Sequence, residues 1–316
     1  MLDVTTIGEA LVLLAAQQSG PLSQVRTFSK HTAGAETNVA MGLARMGMKV
    51  GWISRLGQDS GGAFLRQALQ AEGIDCTDAP LVPHQRTGFM FKTRSDDGSD
   101  PQIEYHRHDT AASRMTVQDL QASSLLASGH LHVSGVFAAL NASTYAVVSQ
   151  AMRMMREAGK TVSFDPNLRP ALWASTEQMR EAIQALAAQA DWVLPGLDEA
   201  RLLTGCDQPS DIADFYLRLG VQHVAIKCGA QGAYYATRAP MQPARAWVAA
   251  CPVPTVVDTV GAGDAFAAGF ISALLTGREI KQAVERGNWM GACAVQSRGD
   301  SDGLPTLSQW QAAAVA

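Results

Sequence analysis

Short β-branched runs set between helical patterns constrain this 316-residue chain more than any other feature. The strand candidates are Val4–Ile7, Val50–Ser54, Leu131–Ser134, Thr161–Phe164, Trp192–Leu194 and His223–Lys227. Between them, Thr37–Met46 pairs Val39 with Leu43 and Ala40 with Ala44 at helical spacing and stops at Gly47. Ser143–Ala158 stops at Gly159, Thr176–Ala190 carries a dense Ala/Leu face, and Glu279–Val295 closes the series. Thr116, followed by Asp119 and an apolar run, predicts a capping box. Strands alternating with helices predict parallel βαβ units, hence an α/β fold.

Two segments break this rhythm. Leu11–Phe28 is short on helix signals, and Arg86–His108 reads as strand Gly88–Lys92, polar turn Ser95–Pro101 and strand Gln102–Arg107. A β-hairpin inside an α/β core is either a surface excursion or a lid over a site. With no internal repeat or linker, one domain spanning 1–316 is expected, with lid insertions at about 11–30 and 86–108.

The bulk properties narrow the function classes. A net charge of -4 and a pI near 6.0 argue against a nucleic-acid partner. Five scattered cysteines without a CxxC pair argue against a disulfide framework or zinc site. The N-terminus MLDVTTIGEALVLL reads as a first strand, and no apolar run is long enough for a membrane span. A soluble cytoplasmic protein with no membrane partner is expected.

The stretch DTVGAGDAFAAGF, Asp258–Phe270, carries the strongest chemical signal. Gly261-Ala262-Gly263 can turn sharply, and a helix starting near Asp264 would converge bare amides on one point suited to phosphate. A helix-entry turn merely capped by Asp264 is the other reading of those residues. Two acids flanking the loop suit phosphoryl transfer to an alcohol. The amides stabilise the migrating group, Asp264 accepts the hydroxyl proton, and the helix N-terminus keeps Asp264 ionised.

Asp258-Thr259-Val260-Gly261-Ala262-Gly263-Asp264 resembles the C-terminal signature of the ribokinase (PfkB) family of carbohydrate kinases. Ala33-Gly34-Ala35-Glu36-Thr37-Asn38-Val39-Ala40 resembles its N-terminal signature. The resemblance covers nearly the whole chain. It implies a ribokinase-like three-layer αβα sandwich with a mainly parallel central sheet and a small β-sheet lid. It implies ATP and Mg2+ as cofactors. Asp264 becomes the catalytic base and Gly261, Ala262 and Gly263 the anion hole, with Asp258 near the nucleotide phosphates or their magnesium. An alternative for Asp258 is a structural hydrogen bond into the loop.

On the nucleotide side, Lys227, Gly229 and Gly232 match the family's K-x-G-x-x-G segment, although by itself the stretch is a plain hairpin. Gly196-Leu197-Asp198-Glu199 matches its N-x-x-E motif with Gly in place of Asn, leaving Glu199 to order metal-bound water. On the substrate side, the resemblance implies that Gly34 and Ala35 expose backbone to a sugar and that Asn38 bonds a hydroxyl; otherwise Asn38 caps a helix.

Tyr105 and Arg107 share one face of the second insertion strand, and His106 takes the other. That pair suits a planar carboxylate. Phe164-Asp165-Pro166-Asn167-Leu168-Arg169-Pro170 ends a strand where open α/β sheets bind ligands. It offers Asn167 to the nucleotide and Arg169 to the carboxylate or the phosphates, with an Arg169–Asp165 salt bridge as the alternative. Y-x-R, F-D-P-N-L-R-x-x-L-W and Arg298-Gly299-Asp300 resemble the branch of the family acting on 2-keto-3-deoxygluconate, in which Asp300 contacts substrate or closes the site. Phe89 and Phe91 stand where a lid tyrosine is common, implying one fewer hydrogen bond to the sugar. The implied partners are an acid sugar and ATP, in a homo-oligomer built through lid strands.

Other sugars of the family remain open, among them 5-dehydro-2-deoxygluconate, 2-keto-3-deoxygalactonate, fructose and ribose. A non-catalytic sugar or nucleotide sensor is disfavoured by the intact Gly-Ala-Gly-Asp. An NAD protein is disfavoured because no G-x-G-x-x-G follows the first strand. His130 and His132 alternate along a strand without a third ligand at metal spacing and read as structural.

Overall fold

The computed structural model describes residues 1–94, 101–238 and 244–313. Strands are numbered along the chain: β1 Leu2–Ile7, β2 Leu11–Ser19, β3 Phe28–Ala33, β4 Val50–Ile53, β5 Leu56–Gly57, β6 Leu81–Val82, β7 Gly88–Arg94, β8 Ile103–His106, β9 Ser128–Ser134, β10 Thr161–Asp165, β11 Trp192–Val193, β12 His223–Lys227, β13 Ala233–Thr237 and β14 Arg245–Val248. Eight of them form the main sheet in the order β14-β13-β12-β11-β10-β9-β1-β4. The six from β12 to β4 run parallel, and β13 and β14 run antiparallel at one edge. The short β5 and β6 pair separately.

Alternation along the strands builds a core on each side of this sheet. Val4, Trp52, Trp192 and Ala225 face one apolar cluster with helices Ala35–Arg45, Ser60–Ala71, Ala262–Leu275 and Ile280–Ala294. Ile7, Ile53, Val193, Val224 and Ile226 face the other, packed by helices Ala142–Glu157, Thr176–Ala187, Leu197–Thr204 and Pro209–Arg218. This is the αβα sandwich expected.

Strands from both rhythm-breaking segments make one four-stranded sheet, β3-β2-β7-β8, outside the sandwich. Its inner face carries Leu11, Met90 and Ile103. Phe89 and Phe91 lie on the outer face with Phe28 and His106, whose ring stacks on Phe89 with centroids 4.6 Å apart. Both phenylalanines therefore face away from the site, and β7 carries no tyrosine on either face. Strand alternation puts Met90 and Lys92, both buried, on the ligand side instead. The turn at Ser95–Pro101 lies, but for Pro101, outside the described residues.

The capping box expected at Thr116 is present, without a long helix after it. The Thr116 amide donates to Asp119 Oδ2 at 2.8 Å, and the box opens the single 3-10 turn Val117–Asp119. The chain then turns into the four-residue helix Ala122–Leu125. His130 and His132 are wholly buried in mid-sheet, hydrogen-bonded to Thr161 and Ser163, and His130 stacks on Trp192.

Candidate active site

Two cavities meet at the C-terminal ends of the parallel strands. The first, about 510 Å³, lies under the lid sheet and is lined by Gly34, Asn38, Tyr105, Arg107, Asn167, Arg169 and Asp264 among others. The second, about 430 Å³, is lined by Gly229, Gly232, Val253, Phe266 and Ala292 among others. Lys227, Thr259 and Gly263 belong to both walls. The glycine loop is thus the partition between a polar chamber and an apolar one.

The partition follows from local chemistry. Gly261 is the N-cap of helix Ala262–Leu275 at φ 84°, and a Cβ there would stand 2.3 Å from the Asp300 carbonyl oxygen. No other residue enters the helix this way. Across the chamber, Gly34 caps helix Ala35–Arg45 at φ 129°, with an added Cβ 2.3 Å from the Glu9 carbonyl oxygen. Two helix N-termini therefore border one space, with the Ala262 amide turned back to the Thr259 carbonyl at 3.3 Å.

Asp264 stands in the first turn of its helix. Asn38 Nδ2 donates to its Oδ2 at 2.8 Å, and Asn167 Nδ2 reaches Oδ1 at 3.4 Å. Burial is the largest influence on its carboxyl and pushes the pKa up to about 8; Asp165 and Asp300 add to this, while Asn38 and Lys227 oppose it. Burial therefore works against the helix N-terminus expected to keep Asp264 ionised. A carboxylate raised toward neutrality is a stronger base than a surface one.

Lys227 Nζ holds Asp165 at 2.6 Å, and an added Cβ on Gly263 would lie 3.3 Å from that nitrogen. Burial pulls its pKa down, but Asp165, Glu199 and Asp264 more than offset it, so the ammonium stays charged. A fixed positive charge sits beside the amide loop. Because Asp165 takes Lys227, the Arg169–Asp165 salt bridge does not form; Arg169 donates to its neighbour's carbonyl at 2.8 Å and lines the first cavity.

Arg107 donates through Nε and Nη2 to Glu9 Oε2 at 2.9 and 2.7 Å, and Thr110 bonds the other oxygen. Glu9 thus fixes the guanidinium at the wall of the first cavity, beside the Tyr105 ring. Glu36, buried on the same wall and bonded to Ser134, is raised to about 7, chiefly by burial. Burial thus disfavours the charged form of both Glu36 and Asp264 on this wall.

Of the residues singled out in the sequence, Gly34, Ala35, Asn38, Tyr105, Arg107, Asn167, Arg169, Glu199, Gly261, Asp264 and Asp300 line the first cavity. Gly229, Gly232 and Ala262 line the second. Asp258 borders neither; its Oδ1 accepts the Val260 amide at 3.0 Å and Oδ2 takes Lys92. Glu199 accepts the Leu168 amide at 2.7 Å and the Gly196 amide at 3.0 Å, joining two loops of the site. Glu9, Glu36 and Lys92 are site residues that the sequence does not announce. Lys92 leaves one signal, a charged residue at an inward position of an otherwise apolar strand.

A glycine loop at a helix N-terminus, a buried carboxyl and a fixed ammonium lie between the two chambers. Residues 1–307 match the model for the pfkB family carbohydrate kinases, and the chain belongs to that family. It is 46% identical over 306 residues to the 2-dehydro-3-deoxygluconokinase of Bacillus subtilis strain 168, covering 96% of this chain and 93% of that one. Its fold matches the crystal structure of a PfkB protein from Polaromonas sp. JS666 with TM-score 0.91 and 51% identity, over 99% and 100% of the two chains. A putative ribokinase II from E. coli, in complex with ATP and Mg2+, matches with TM-score 0.90 at 28% identity over 99% and 98%.

Proposed function

We propose that the protein is an ATP-dependent kinase that phosphorylates the terminal hydroxyl of 2-keto-3-deoxygluconate. The observation that carries this is the shared wall: Lys227, Thr259 and Gly263 separate an apolar chamber suited to a nucleotide base from a polar one holding Asp264. ATP entering the apolar chamber presents its outermost phosphate to the Gly261–Gly263 amides and Lys227. The acceptor hydroxyl, held by Asn38 and the Gly34 backbone, loses its proton to Asp264 Oδ1 or Oδ2 as the new P–O bond forms and the bond to ADP breaks. Tyr105, Arg107 and Arg169 read the sugar's carboxylate, and the lid sheet keeps water from the phosphate.

Magnesium, when bound, neutralises charge on the triphosphate oxygens. Among the described residues no group of three His, Cys, Asp or Glu side chains could cage a metal. Glu199, which bridges the Leu168 and Gly196 amides beside the first cavity, is the residue that would help hold the ion. The close relationship to the Bacillus subtilis enzyme supports the choice of sugar. Coupled-assay kinetics on 2-keto-3-deoxygluconate, its galactonate epimer, fructose and ribose test it. The keto-deoxy acids should lead the neutral sugars in kcat/KM by at least ~10-fold, the scale of one charge-assisted hydrogen bond. Equal or better use of fructose would reject the acid-sugar assignment.

The outer aromatic face of the lid, with Phe89 among its half-exposed rings, favours pairing with a second copy. Elution as a 33.5 kDa monomer would oppose that arrangement.

A further inference from the structure

Lys92 belongs to the lid, yet its ammonium is buried in the base. Its side chain is 3% exposed and reaches Asp258 Oδ2, Asp300 Oδ1 at 2.8 Å and the Arg298 carbonyl at 3.3 Å. Two of these contacts lead to the glycine loop. Asp258 holds the Val260 amide, the residue just before Gly261, at 3.0 Å. Asp300 packs its backbone on Gly261 itself, where a side chain would meet its carbonyl at 2.3 Å. One ammonium therefore pins both flanks of the loop.

We infer that Lys92 is a positioning residue for phosphoryl transfer: a tethered cation that shapes the Gly261–Gly263 amide trap and couples it to the lid. Two arguments converge. The first is charge: Asp258 and Asp300 are 8% and 4% exposed and stand directly behind a loop that must hold an anion. Without a cation, two buried negative charges would oppose the incoming phosphate; the ammonium cancels one and divides the other's field. Burial disfavours the charged lysine, but the two aspartates more than offset this and keep it protonated.

The second argument is connectivity. In the lid, Lys92 pairs with Ile103 and Met90 pairs with Tyr105 across β7 and β8, and Tyr105 and Ile103 line the acceptor chamber. A lid strand displaced from the chamber would draw the ammonium from its cage. The trap would lose its shape together with its acceptor, which limits transfer to water.

The inference rests on the kinase reading, and the experiment separates the two. Wild type, Lys92→Ala and Lys92→Met are assayed with tetramethylammonium as the only monovalent cation, then with added K+, NH4+ or methylammonium. Wild-type kcat is expected to change less than ~2-fold, because its cation is built in. Lys92→Ala is expected to lose ~10²-fold in kcat, the cost of slight misplacement of a catalytic group, with sugar KM changed far less. Tens of millimolar NH4+, K+ or methylammonium should restore at least ~10-fold of that loss, since truncation leaves a cage of two carboxylates and a carbonyl. Lys92→Met, which fills the cage with an apolar chain, should lose as much without rescue.

A wild type that needs an added monovalent cation would overturn the inference, and that measurement requires no variant to fold. So would a folded Lys92→Ala of normal rate, or one whose loss no small cation restores, which would leave packing as the role of Lys92. A wild type inactive on every sugar would instead reject the kinase reading.

Discussion

Asp264→Asn should lower kcat by roughly 10²–10⁴-fold, the range attributed to a positioned general base, while sugar binding stays within a few-fold of wild type. The side chains are isosteric, and the Asn38 amide that donates to Oδ2 at 2.8 Å keeps an acceptor in the variant. The trap, Lys227 and the acid-sugar readers are untouched, so binding and chemistry should separate in calorimetry and single-turnover assays. Binding lost together with turnover would show Asp264 to be a ligand-holding residue and not the base.

The same variant carries a stability signature. Asp264 has an ordinary value of 3.8 and is raised to about 8 in the fold. The native state therefore holds a proton that the unfolded chain releases, and this residue's contribution to stability falls as pH rises from about 4 to about 8. Asparagine removes that dependence. Asp264→Asn should melt above wild type at pH 8 by a few degrees, with the gap shrinking toward pH 4, as expected where function retains a costly group. Coincident melting curves at both pH values would deny that the carboxyl is strained by burial.

Arg107→Ala is the second large effect. A guanidinium held at the chamber wall should contribute on the scale of a charge-assisted hydrogen bond, about 1.5–3 kcal/mol, so KM for the acid sugar should rise roughly 10- to 100-fold. KM for ATP should move little, because the nucleotide chamber lies across the glycine loop. The variant also strands Glu9, whose side chain is 1% exposed, and a buried carboxylate without its cation destabilises the fold. The decisive readout is the ratio of KM for the acid sugar to KM for a neutral sugar, which a purely structural loss leaves unchanged. Glu9→Gln alongside Arg107→Ala should recover stability and leave the KM defect in place. An unaltered ratio would remove Arg107 from carboxylate recognition.

Much of the fold is legible because parallel strands buried on both faces read as short apolar runs, and all six strand candidates fall inside main-sheet strands to within a residue or so. The glycine loop is legible for a sharper reason. At Gly261 a positive φ and a backbone contact leave no other side chain possible, so the geometry is written into the residue.

What stays hidden is what burial decides. Thr116 and Asp119 form their box wherever the chain turns, so a local signal does not tell a 3-10 turn from a helix. The inward face of β7 is ambiguous at Phe89 and Phe91, since aromatic residues suit either face of a strand. Glu9 and Lys92 lie in distant segments, and no spacing announces that their partners Arg107 and Asp300 wait across a cleft. The pKa of Asp264 follows the same rule: the helix terminus is visible in the sequence, the desolvation is not.

The pH dependence of kcat/KM for wild-type enzyme with 2-keto-3-deoxygluconate tests most directly that a buried Asp264 is the base. Free enzyme must lose the Asp264 proton before it can accept one from the sugar, and burial places that loss near pH 8. The rate constant should climb about tenfold per pH unit through the acid and neutral range and level off above about 8. A profile flat from pH 5 to 9 would show that the base ionises as an ordinary exposed aspartate does, or that Asp264 takes no proton at all.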